Sequence, residues 1–154
     1  MSLQKLQKHL AIEDKCISRC PKLSVVSENK MTFRLDLSKI LNEQVWAIHV
    51  DKCMVLTSPV ERCDYAFIRL KNDEEADFYY VELKNNRIRK AYNQIVTTIT
   101  KHFKSPPKKN NYAFIVSSSV PSGGTEAQNL RKEFIKKYGV DLIIKNNIIK
   151  HTPQ

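Results

Sequence analysis

Apolar positions along the chain follow two spacings, and the change between them near residue 84 divides the sequence. Leu3, Leu6 and Leu10 recur at helical spacing, predicting a short amphipathic helix over residues 2 to about 11. From Leu23 the pattern alternates: Leu23 and Val25, then Met31, Phe33, Leu35 and Leu37. That alternation predicts one or two strands, with Ser27-Glu28-Asn29-Lys30 as the turn. Residues 38–44 read as a helical turn or a loop. Residues 45–50, rich in β-branched and aromatic side chains, predict a strand, and residues 52–56 continue it or form its partner. Ser58-Pro59 breaks the run. Cys63-Asp64-Tyr65-Ala66-Phe67-Ile68-Arg69-Leu70 predicts the next strand, with Asp64 at its start. The acidic segment 72–77 reads as a solvated turn before the aromatic strand Phe78-Tyr79-Tyr80-Val81-Glu82-Leu83-Lys84.

Beyond Asn85-Asn86 the period becomes helical. Ile88, Ala91, Tyr92, Ile95 and Ile99 form one stripe of a helix over residues 87 to about 103, with Arg87, Lys90, Gln94, Thr98 and Lys101 on its polar face. Residues 105–111 read as a loop, 112–116 as a short strand buried on both faces, and 121–124 as a second loop. Thr125-x-x-Gln128 is a capping-box signature for a helix packing through Ala127, Leu130, Phe134 and Tyr138, closed by Gly139. Residues 140–145 predict a last strand, and 146–154 a polar tail.

Sequential strands pair antiparallel, whereas strand–helix–strand units require crossovers. The expected fold is α/β: one domain over 1–154, with a mixed central β-sheet flanked by helices. It divides into an N-terminal helix and lead-in (1–29), a core of about 30–145, and the tail at 146–154. A chain of 154 residues is long enough for a sizeable core.

Charge adds a direction. The formal net charge is +10, and residues 83–125 contain no Asp or Glu while Lys84, Arg87, Arg89, Lys90, Lys101, Lys104, Lys108 and Lys109 fall inside. A one-signed tract of this kind suits a polyanion, because neutralising phosphates releases counterions. No apolar run approaches the roughly 18 residues a bilayer-spanning helix needs, so no membrane partner is expected. The N-terminus lacks the apolar stretch of a signal peptide, and the expected location is cytoplasmic. The four cysteines, Cys16, Cys20, Cys53 and Cys63, read as reduced thiols. Cys16-x-x-x-Cys20 could open a zinc site, but no second ligand pair follows at the usual spacing.

Strand alternation places Glu82 and Lys84 on one face and Val81 and Leu83 on the other. A carboxylate and an ammonium aimed together, with Asp64 on the preceding strand, suggest a metal-dependent phosphodiesterase site. The tripeptide Glu82-Leu83-Lys84 alone is weak, since such a pattern occurs by chance roughly once per 120–150 residues at average composition. The bland reading is a solvated i,i+2 pair beside a turn-capping Asp64. His49, His102 and His151 have no triad-like partners, and Trp46 reads as core.

The constellation of Asp64, Glu82-Leu83-Lys84 and the following helix resembles the PD-(D/E)xK nuclease superfamily, the restriction-endonuclease-like fold. The likeness covers about residues 30–145. It implies a core of a helix, three meander strands, a second helix, a fourth strand and commonly further elements. Asp64 takes the place of the family's first carboxylate and Glu82-Leu83-Lys84 that of its (D/E)xK motif; Gln94, ahead of Tyr92, takes that of the helical polar residue. Pro59 is not adjacent to Asp64 as the family's Pro would be. Among other acids, Glu28 and Glu43 are the candidates for the family's helical Glu, and Glu61 is a rival ligand.

The resemblance implies an endo- or exonuclease hydrolysing phosphodiester bonds, DNA ahead of RNA, in a setting such as repair or phage defence. Its cofactor would be Mg²⁺, with Mn²⁺ as a substitute, held by Asp64 and Glu82 and by the backbone carbonyl of Leu83. Lys84 would assist the attacking water or neutralise the transition state, and Gln94 would bond the nucleotide or the water. Arg87, Lys90 and Lys101 would hold the nucleic-acid backbone. A homodimer or a larger complex is compatible with the family. The alternative is a catalytically inactive nuclease-like module that binds nucleic acid or a protein partner.

Overall fold

The computed structural model describes residues 2–54, 62–72, 74–84, 87–104, 108–119 and 124–154. Among the described residues, nine strands and three α-helices are arranged in three layers. A six-stranded mixed sheet, in the order β1-β4-β5-β6-β7-β8, is the middle layer. Its strands are β1 (Ile17–Arg19), β4 (Val45–His49), β5 (Tyr65–Leu70), β6 (Glu75–Leu83), β7 (Lys108–Ser117) and β8 (Leu142–Asn146). β1, β4, β5 and β6 pair antiparallel in turn; β6, β7 and β8 are parallel. A second sheet holds β2 (Leu23–Glu28), β3 (Met31–Asp36) and β9 (Ile148–His151).

The three helices are α1 (Leu3–Leu10), α2 (Ile88–Thr97) and α3 (Thr125–Tyr138). Alternation along the central strands explains the layering. Phe78 and Tyr80 of β6 join Ala66 and Ile68 of β5 in a core with Leu6 of α1, Ile95 of α2 and Phe134 of α3. Tyr79, Val81 and Leu83 face the opposite way, toward Phe33 and Leu35 of β3 and Ile149 of β9. The expectation of helices flanking the sheet thus changes: helices pack on one face, and the small sheet covers the other.

β6 is buried from Ala76 through Leu83, as befits a strand at the centre of three layers. The expected solvated turn at 72–77 is shorter, because Glu75, Ala76 and Asp77 already belong to β6. The loop expected at 105–111 likewise gives way to strand from Lys108 onward. Both differences have one cause. Asn110 donates to the buried Asp77 (2.8 Å), and the hydroxyl of buried Tyr80 donates to Asn111 (3.1 Å). Polar side chains that satisfy one another allow strands to run where sequence alone reads loop.

The polar tail expected at 146–154 contains β9, which pairs parallel with β3 from Thr32↔Ile148 to Leu35↔His151. Its alternation is brief but clear: Ile149 is buried while Ile148 and Lys150 are exposed. The 23–37 reading resolves into the hairpin β2–β3. Asn29 and Lys30 both have positive φ, 49° and 66°, the requirement of a tight type I′ connection. Thr125 is not the cap of α3. Gly124 is the N-cap, and its carbonyl accepts the Gln128 amide at 3.0 Å. Gly139 closes α3 at φ 74° as expected.

Cys16 and Cys53 form a disulfide rather than two thiols. The register of β1 against β4, Ile17↔Ile48, delivers Cys16 to the turn that follows β4. Cys20 and Cys63 are buried free thiols, and Cys20 lies in the core on the other side of the sheet from Cys16. The Cys16-x-x-x-Cys20 zinc reading is thereby excluded. No helix among the described residues is long and apolar enough to cross a membrane.

Candidate metal and phosphodiester site

Asp64 and Glu82 stand at the end of β6 where its carboxyl terminus meets the lead-in to β5. The β5–β6 register pairs Tyr65 with Val81, so Asp64 faces Glu82 one step further along. Asp64 and the end of β6 exchange two hydrogen bonds. The Asp64 amide donates to Glu82 Oε1 at 3.0 Å, and the Leu83 amide donates to Asp64 Oδ2 at 2.9 Å. The Asp64 carboxylate is near enough to act electrostatically on the Glu82 carboxyl.

Glu82 is 1% exposed, on the helix side of the sheet. Burial first, and then the Asp64 carboxylate, hold its carboxyl far above the usual carboxylate range; Lys84 opposes this. Both causes disfavour the charged form of Glu82. Lys84 is half-buried, and its amide donates to the Val116 carbonyl of β7 at 2.9 Å, which fixes the backbone beyond the Glu82-Leu83-Lys84 strand end.

A buried acid facing a second acid disfavours charge on both, and carboxylate oxygens are the ligand type that hard divalent cations take. Among the described residues no group of three or more His, Cys, Asp and Glu side chains converges. Neither α1 nor α2 carries an acidic residue. The acid donors here are therefore a pair, and water and backbone carbonyls would have to complete any divalent site. Glu28 and Glu43 are exposed, at the end of β2 and in the short turn Asn42–Gln44. Glu61 lies outside the described residues.

The remaining predicted residues separate. Arg87, Lys90 and Lys101 are exposed on or beside α2. Arg87 and Lys90 line a surface groove with Arg89, Asn93 and Glu126. Arg89 forms a two-pronged ion pair with Glu133 of α3, at 3.2–3.4 Å. Gln94 is engaged with the backbone beside the site: its Nε2 donates to the Arg62 carbonyl at 3.2 Å. Its Oε1 is buried with no hydrogen-bond donor among the described residues.

Thr98, expected on the polar face, is fully buried. Its Oγ1 accepts the Cys63 amide at 2.8 Å. Sequence reading missed this contact, because a Thr one turn after Gln94 is indistinguishable from a solvated one without the strand opposite it. The chain matches no protein-family model, no curated protein and no solved structure.

Proposed function

We propose that the chain is a divalent-cation-dependent nuclease that hydrolyses phosphodiester bonds, in DNA ahead of RNA. The observation that carries the reading is the Asp64–Glu82 carboxyl pair beside Lys84. The restriction-endonuclease-like plan is supported by the antiparallel run β4-β5-β6, the crossover through α2, and β7 parallel to β6.

Asp64 and Glu82 would hold Mg²⁺ or Mn²⁺, with the Leu83 carbonyl adjacent. When bound, the ion polarises a phosphate oxygen and acidifies water. The residues supply the rest. Lys84 places a positive charge where negative charge develops on the phosphate. Arg87, Lys90 and Lys101 bind the flanking backbone without reading bases. Glu82, held against water on the helix side, keeps the pair in a low-dielectric setting where charge interactions are strong.

The test is cleavage of DNA and RNA panels with Mg²⁺ or Mn²⁺, paired with calorimetric titration of either ion. Cleavage unchanged in Asp64→Ala or Glu82→Ala would end the assignment. An intact carboxyl pair that binds no divalent ion would instead favour a catalytically inactive module for nucleic acid or a protein partner.

A further inference from the structure

We infer that Thr98, together with Gln94, is a positioning residue that clamps the Arg62–Cys63 peptide group and so sets the approach of Asp64 to Glu82. The inference rests on the metal-site reading above. It concerns residues that touch neither the ion nor the substrate.

The Arg62 carbonyl and the Cys63 amide are the two polar ends of one peptide plane. Gln94 Nε2 donates to the carbonyl at 3.2 Å, and Thr98 Oγ1 accepts the amide at 2.8 Å. The Thr98 hydroxyl then donates to the Gln94 carbonyl at 2.7 Å, so its hydrogen and its acceptor capacity both have defined partners. Gripped at both ends, the plane cannot rotate without breaking two hydrogen bonds, one of them wholly buried. The residue after it is Asp64, whose amide and carboxylate make the reciprocal bonds to β6.

The helix changes form where the clamp sits. α2 ends at Thr97 and continues as a π-helical turn, Thr98–His102, closed by the Phe103 amide on the Thr98 carbonyl at 3.2 Å. Wider turns of this kind are concentrated at functional sites. Thr100, on the same turn, is the built-in comparison. Its hydroxyl also bonds back along the helix, to the Val96 carbonyl at 3.0 Å, but it is exposed and touches nothing of the Asp64 segment.

The experiment measures Mn²⁺ affinity by calorimetry and amide hydrogen exchange at Cys63 and Asp64 for wild type, Thr98→Val, Thr98→Ser and Thr100→Val, each checked for folding by circular dichroism. Thr98→Val is expected to weaken Mn²⁺ binding by about 10–100-fold, the usual effect of removing an outer partner of a ligand, and to speed exchange at Cys63. Thr98→Ser restores both, and Thr100→Val leaves both at the wild-type level. Should Thr98→Val not fold, Thr98→Ala against Thr98→Ser carries the same comparison. Wild-type Mn²⁺ binding that persists at full strength without the Thr98 hydroxyl overturns the clamp and leaves the metal site standing. Absence of Mn²⁺ binding in the wild type overturns the metal site and the clamp with it.

Discussion

β6 carries two buried carboxyl groups, Asp77 near its start and Glu82 near its end, at 3% and 1% exposure. Their surroundings are opposite. Asp77 accepts Asn110 Nδ2 at 2.8 Å and the Tyr79 hydroxyl at 3.5 Å, with Lys71 Nζ at 3.7 Å and Arg69 Nη1 at 4.0 Å. Glu82 has one backbone amide and faces a second carboxyl. Burial is therefore no mark of a site. What differs is the sign of the neighbour: donors and cations make Asp77 a structural acid, whereas an acid opposite an acid holds unfavourable energy that a cation can relieve.

The sharpest way to break this contrast is activity. Glu82→Ala or Asp64→Ala is expected to lower single-turnover cleavage by about 100-fold or more, the scale of losing one electrostatic partner of the transition state. Asp77→Asn should leave the rate close to wild type. Equal losses at the two ends of β6 would erase the distinction.

Stability should move the other way. Asp77→Ala removes the acid that Asn110, Arg69 and Lys71 share, and is expected to cost about 3–5 kcal/mol in urea unfolding, the range for breaking a buried pair. Glu82→Gln relieves the crowded pair. It should stabilise the metal-free protein by about 1–3 kcal/mol, the range for an imperfectly satisfied buried polar group.

The pH dependence follows from the same shift. The Glu82 carboxyl is raised in the folded state, so between the ordinary carboxylate range and its folded value the native protein binds the extra proton. Stability then falls as pH rises through that window. Thermal melts of metal-free wild type should decline from about pH 5 upward relative to Glu82→Gln. Saturating Mg²⁺ should remove the decline. Parallel pH profiles for the two proteins would contradict the raised Glu82 carboxyl.

The smallest effects belong to the exposed face. Arg87→Ala, Lys90→Ala and Lys101→Ala should each lower nucleic-acid affinity uniformly across sequences. Each should also reduce the log–log salt slope by about 1, measured by fluorescence anisotropy.

What the sequence disclosed follows how local each feature is. The stripe of α2, the β4-β5-β6 meander and the facing of Asp64 and Glu82 all come from periods of 3.6 and 2 plus short connections. Asp77 and Asn110 were hidden because each looks like loop material until the other stands beside it. Cys16 and Cys53 were read as thiols because their meeting depends on the β1–β4 register. Thr98 and Gln94 sit at polar positions of an amphipathic helix, and only the strand segment packed over them shows that they face inward.

β9 has a kinetic consequence. β2 and β3 form a hairpin through a two-residue turn, but β3 gains its second neighbour only when β9 returns from the far end of the described chain. Much of the helix-side core draws on consecutive units, β6-α2-β7-α3-β8, with α1 added from the N-terminal end, whereas Ile149 reaches the layer under Tyr79, Val81 and Leu83 only through one long closure. Contacts so distant in sequence slow folding. Until they form, the β2–β3 hairpin lacks its third strand and the part of that face under Ile149 stands uncovered, an interval in which exposed apolar surface and an open strand edge favour mispairing.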